Sequence, residues 1–153
     1  MFKNLNKEAD RTALLTRLES LRTNSAQQWG KMSANQMLCH LADTVRVCLH
    51  EKEAPFMGKW YDPLLTKWFA LSPVPWPKGK IKAPPMLDPT VNGAQPIEFE
   101  QDKQTFVKLI TKYGQTKSDY PWPTHPVLGV LTYSQWGRFH YVHFDHHFRQ
   151  FGI

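Results

Sequence analysis

The stretch TYSQWGRFHYVHFDHHFRQFGI, residues 132–153, holds four of the chain's seven histidines within eight positions: His140, His143, His146 and His147. It reads as one helix. Thr132 is placed to cap the first turn, and Gln135, three residues on, to reach back to the cap residue. Gly152 supplies the stop. With about 100° between successive residues, His143 and His147 project from one face about 40° apart. Trp136 and Gln150 belong to that face, while Tyr133, Phe144, Phe148 and Phe151 form an apolar stripe beside it that docks the helix on its neighbours. The imidazoles therefore sit at the edge of a core.

Two imidazoles four residues apart on a helix make a two-point clamp for a metal ion. A lone histidine there would read as a solvated side chain; a pair flanked by aromatics reads as ligands. Clustered imidazoles depress one another's proton affinity, and the neutral ring is the form that ligates a cation. His140 with His143 and His143 with His146 are also one turn apart, so helical spacing leaves the choice of pair open.

Working outward, a chain of 153 residues implies a single domain, residues 1–153, with one substantial core. The net charge is +6, but Lys and Arg are scattered with no basic run. That argues against a nucleic-acid binder and for a mildly cationic surface that attracts an anionic small-molecule substrate. Cys39 and Cys48, nine residues apart on one helix, lie roughly 13 Å apart on opposite faces and cannot pair. Free thiols, the absence of an apolar leader in MFKNLNKEADR and the absence of any membrane-length apolar run predict a cytoplasmic protein with no membrane segment.

A first amphipathic helix is expected from about Lys7 to Trp29, with Leu14, Leu15, Leu18 and Leu21 at helical spacing. Ser33 to Gln36 repeats the capping-box pattern at the head of a second helix reaching about Glu51. Its side formed by Met37, His40, Thr44, Val47 and Cys48 points His40 inward, where an imidazole needs a hydrogen bond or a metal. His50 is expected to be solvated. Asp62 and Pro63 look like the cap and first residue of a short apolar helix, Leu64 to Leu71.

Residues 73–96 contain seven of the twelve prolines. This is a long connection, either a lid beside the site or an ordered crossover strapped down by Trp76 and Ile81. A further helix follows from about Phe99 to Tyr113, stopped by Gly114. An aromatic loop, residues 119–126, leads into the histidine-rich helix; His125, between prolines, is a loop residue that can line the site.

Four long helices with a Pro-rich crossover at about 73–97 make an all-α four-helix bundle, and bundles build metal sites from facing helices. His40 with two histidines of the last helix supplies three neutral nitrogens, the donor set of a catalytic centre with an open position. Zn²⁺, Ni²⁺, Fe²⁺ and Mn²⁺ all accept imidazole.

The run MSANQMLCHL, residues 32–41, with HFDHHFRQ, residues 143–150, resembles the DinB/YfiT-like superfamily of metal-dependent bundle proteins, across roughly residues 8–52 and 98–151. The segment 125–152 is similar to a branch whose function is not assigned. The resemblance implies His40, His143 and His147 as metal ligands and Gln150 as the glutamine that follows the pair; beside it, His146, Gln150 or a loop residue is the candidate to orient the nucleophile, and Trp136, on the ligands' face of the helix, is a further neighbour of the site. It further implies a thiol-dependent S-transferase-like activity using a low-molecular-weight thiol, and a homodimer. A metal-dependent hydrolase and a non-catalytic bundle stapled by its metal are the alternative readings.

Overall fold

In the computed structural model, which describes residues 2–58 and 63–153, both expected capping boxes form. The chain is mainly helical. Its helices are α1 Glu8–Leu18, α2 Ala34–Cys48, α3 Pro63–Leu71, α4 Phe99–Gly114 and α5 Tyr133–Gln150, with a short 3-10 turn at Pro85–Leu87. The expected Asp62 cap of α3 lies outside the described residues. An all-α bundle had been expected; the structure adds a small antiparallel hairpin, β1 Thr124–His125 and β2 Gly129–Val130, in the aromatic loop. Two residues per strand are too few to show an alternating pattern in sequence.

Helix α2 runs along α4, while α5 packs against α1, α3 and α2. The burial of α2 extends beyond the side that holds Met37, His40, Thr44, Val47 and Cys48. Twelve of its fifteen residues are buried, so it is the central helix, covered on every side. The Pro-rich connection adds to the cover that α4 provides and is an ordered strap. Its anchors are Trp76, whose indole N–H donates to the Ala70 carbonyl at 3.2 Å, and the buried Leu87; Ile81 is half exposed and anchors nothing. Near its end the strap is tied to α2 by Asp43, a carboxylate that is 1% exposed. Asp43 pairs with Arg46 at 3.0 Å and Lys52 at 2.5 Å and accepts from the Ala94 N–H at 2.9 Å.

Helix α1 ends at Leu18, well short of the expected Trp29. The cause is local. The Arg22 guanidinium takes the carbonyls of Glu19 and Leu21, and the Arg22 N–H donates to Ser25 Oγ, so acceptors needed by the next helical turn are already occupied. Leu21 remains fully buried although its backbone is irregular. Helix α3 is short as expected, yet Leu64, Leu65 and Trp68 on its outer side are 84%, 77% and 72% exposed.

Helix α5 is fixed at both ends. The polar lead folds over its first turns, where Asn4 and Asn6 donate to the Ser134 and Tyr133 carbonyls. A side chain at Gly137 would meet Asn4 Oδ1 at 2.1 Å, so the close approach requires glycine. At the other end Gly152 adopts φ 72°, with Ile153 N–H bonded to Phe148 O and Gly152 N–H to Arg149 O, a Schellman ending. Gly114, the expected stop of α4, is instead its last residue and lies against the Arg11 guanidinium. Among the described residues no helix is long and apolar enough to cross a membrane.

Candidate metal centre

The fold brings His40 of α2 to His143 and His147 of α5, and the nearest ring nitrogens of all three lie within 4.8 Å of one another. His40 and His143 are buried and His147 is half-buried. The first and last of these residues are 107 positions apart, so only packing of α5 on α2 creates the group.

Hydrogen bonds assign two of the three tautomers. His40 Nδ1 lies 2.6 Å from the Leu87 carbonyl, which can only accept, so Nδ1 carries the proton and Nε2 presents a lone pair. His147 Nδ1 lies 2.8 Å from Gln150 Oε1, and Gln150 is held in that orientation because its Nε2 donates to the Trp29 carbonyl at 2.6 Å. His147 Nε2 is therefore also a free lone pair. An imidazole that donates from one nitrogen to a carbonyl while aiming the other inward has the outer-shell support seen for metal-ligating histidines.

His143 Nε2 stands 3.1 Å from His40 Nε2, and its Nδ1 is buried with no hydrogen-bond partner. Two nitrogens each about 2.1 Å from one ion are separated by about 3 Å, so this spacing suits a shared cation. Burial holds all three rings well toward the neutral form. For His143 burial is the main cause, followed by His147 and His40; for His147 it is burial and then His40. His40 is likewise lowered, chiefly by burial, against the opposing pull of the Leu87 carbonyl. The inward lone pairs of His40 and His147, with His143 Nε2 beside them, form a neutral nitrogen donor set that fits a divalent transition metal.

The chain belongs to the family described as protein of unknown function (DUF1569). Its family model matches residues 3–152, which include the whole of the histidine group. No curated protein and no solved structure matches the chain. The DUF1569 match carries no link to the DinB/YfiT-like superfamily.

The remaining candidates of this DUF1569 chain are dispersed. Gln150 is brought to His147 as described. Trp136 packs on His140, with ring centroids 5.4 Å apart, and on His125 at 5.2 Å, one layer deeper than the three histidines. His140 is fully buried among Tyr113, Trp136, Phe139 and Phe144, and neither of its nitrogens has a partner; burial, then His125, pushes its pKa down to about 3. His146 stands between Trp29 at 5.9 Å and Trp76 at 5.6 Å. His125 lies in β1, and its Nδ1 accepts from the Val127 and Leu128 N–H groups, which closes the hairpin turn. His50 is exposed, as expected, but at φ 58° its ring nitrogen donates to the Pro121 carbonyl at 2.5 Å. Cys39 and Cys48 are free and buried, and burial raises both thiols above their ordinary range, away from nucleophilic use.

Two contributors were missed in the sequence. Leu87 acts through its backbone carbonyl, which no side-chain pattern reveals. Trp29 is expected at the end of a helix; Gly30, which adopts φ 82°, and the Ser33–Gln36 capping box after it are the hints that a loop begins there.

Proposed function

We propose that this chain is a divalent-metal-dependent enzyme of DinB/YfiT-like type, in which His40, His143 and His147 hold the ion and a low-molecular-weight thiol is transferred to a small electrophilic substrate. The observation that carries the reading is the His40 arrangement: Nδ1 tied to Leu87 O at 2.6 Å and Nε2 facing His143 Nε2 at 3.1 Å. Among the described residues no fourth His, Cys, Asp or Glu joins the group, which leaves room for an exogenous ligand. When bound, the cation would lower the pKa of a coordinated thiol or water and so supply a nucleophile at neutral pH.

The chain's own residues do the rest. Leu87 and Gln150 keep the His40 and His147 lone pairs aimed inward, Trp76 covers the ring of His143 at 5.4 Å, and the apolar surround limits water. In S-transfer to a chlorodinitroarene a C–S bond forms, the C–Cl bond breaks with chloride taking the pair, and the thiol proton goes to solvent.

The test is elemental analysis of untagged protein together with this reaction. About one equivalent of metal, and turnover that needs both metal and thiol and disappears in His143→Ala, supports the reading. Turnover of esters or phosphoesters without thiol would replace it with the hydrolase reading. The burial of His40 and His143 favours one further alternative, a metal that staples the bundle; chelation would then lower stability while no substrate turned over.

A further inference from the structure

Two tryptophans from different connections stand against the histidines of α5. Trp76, on the strap, lies on His143 at 5.4 Å and His146 at 5.6 Å. Trp29, in the loop before α2, lies on His146 at 5.9 Å, and its carbonyl is gripped by the same Gln150 that orients His147. Trp29 is thereby fixed relative to the centre. Its indole Nε1 is buried and has no hydrogen-bond partner.

Over the Trp29 ring, 4.6 Å from its centroid, stands Lys78 Nζ. A cation on an aromatic face is held in place without being neutralised, so its charge and N–H donors stay available. Among the described residues Lys78, Lys80 and Lys82 have no carboxylate at ion-pair distance. Residues 63–87 include four lysines and neither Asp nor Glu, in a chain of net charge +6. Positive charge is thus concentrated without compensation on the segment that carries Trp76, and Lys78 brings it over the ring of Trp29, the neighbour of His146.

We propose that Lys78 and the Trp29 indole N–H recognise an anionic group, carboxylate or phosphate, on the small molecule that reaches the three histidines. This rests on the metal-centre reading above and adds the substrate's charge and the residues that select it. An acid group bound at Lys78 leaves the opposite end of a short molecule directed past His146 to the centre. Lys80 and Lys82 add to the attraction at longer range.

The test uses the full chain loaded with Co²⁺ and follows the thiolate-to-cobalt absorption while titrating 3-mercaptopropionate or its uncharged amide. The acid is expected to saturate at about tenfold lower concentration than the amide. That preference should vanish in Lys78→Gln, reverse in Lys78→Glu and shrink with added salt, while cobalt content stays at the parent level. Equal affinities in the parent, or a preference untouched by both Lys78 variants, overturns the proposal and leaves the metal centre standing. If neither thiol gives the absorption, the thiol reading fails. Inorganic phosphate then decides the anion site alone, through a fluorescence change present in the parent and absent in Trp29→Phe and Lys78→Glu; no change in the parent overturns it. A chain that takes up no cobalt sinks both readings.

Discussion

His40 Nε2 and His143 Nε2 face each other at 3.1 Å, and because His40 donates from Nδ1 to Leu87, only the His143 nitrogen can hold a proton between them. Without a cation, His143 is thus the Nε2–H tautomer. A shared cation takes both lone pairs and shifts the His143 proton to Nδ1. Long-range ¹H–¹⁵N spectra should therefore show His143 changing tautomer on addition of Zn²⁺, with His40 and His147 remaining Nδ1–H throughout. A His143 pattern unaffected by metal would remove it from the ligand set.

Binding to the folded chain alone must stabilise it. At a free metal concentration a hundred times the dissociation constant, the gain is about 2.7 kcal/mol, seen as a rise in Tm that EDTA reverses. His40→Ala and His143→Ala should each abolish the rise. A rise that survived in His143→Ala would place the metal elsewhere, for instance on the exposed His50.

Gln150 joins His147 Nδ1 to the Trp29 carbonyl through one amide. Gln150→Ala frees the His147 ring and the loop together while removing no ligand atom. Metal affinity is expected to fall about 10- to 100-fold, with the helical circular dichroism unchanged. Competition against a chromophoric chelator measures it, and parental affinity would show that His147 is oriented by packing alone.

Acid should destabilise the fold through its buried imidazoles. Burial pushes His125 and His140 down to about 3 in the folded chain, below the ordinary 6.5. The unfolded chain therefore takes up their protons first, so stability is complete above about pH 6.5 and is lost as pH falls toward 3. Each histidine contributes a slope of about 1.4 kcal/mol per pH unit. Urea midpoints measured on metal-free protein between pH 7 and pH 4 should fall steeply. His140→Phe, which fits the same aromatic surround without a buried unpaired nitrogen, should reduce the slope by one proton and raise stability at pH 7.

Asp43 closes the strap on α2 from a position that is 1% exposed. Asp43→Ala leaves Arg46, Lys52 and the Ala94 N–H without their acceptor, and a loss of about 2–4 kcal/mol is expected in chemical denaturation. Asp43→Asn, which keeps one oxygen for Ala94, should recover part of it. If Asp43→Ala cost under about 0.5 kcal/mol, the strap would not depend on this carboxylate.

Much of this was legible in the chain because its causes are local. The boxes at Ser33–Gln36 and Thr132–Gln135, the Gly152 ending and the His143/His147 spacing depend on residues within one turn of each other. Helix α1 shows the limit of such reading. Its leucine period runs on through Leu21, but Arg22 and Ser25 claim the backbone groups first, and periodicity carries no record of that competition.

The sequence by itself determined where the helices that carry the histidines begin, which residues face one another one turn apart, and that an inward His40 needs a partner. Only the tertiary structure decided which histidines meet. His140 and His146 share the helix and the density of His143 and His147, yet packing sends one into an aromatic surround and the other between two tryptophans. Packing also put the Leu87 carbonyl on His40 and Lys78 over Trp29. These contacts join residues 47 and 49 positions apart through an irregular strap, and long-range juxtaposition of that kind follows from how surfaces fit when a core closes, which no local pattern encodes.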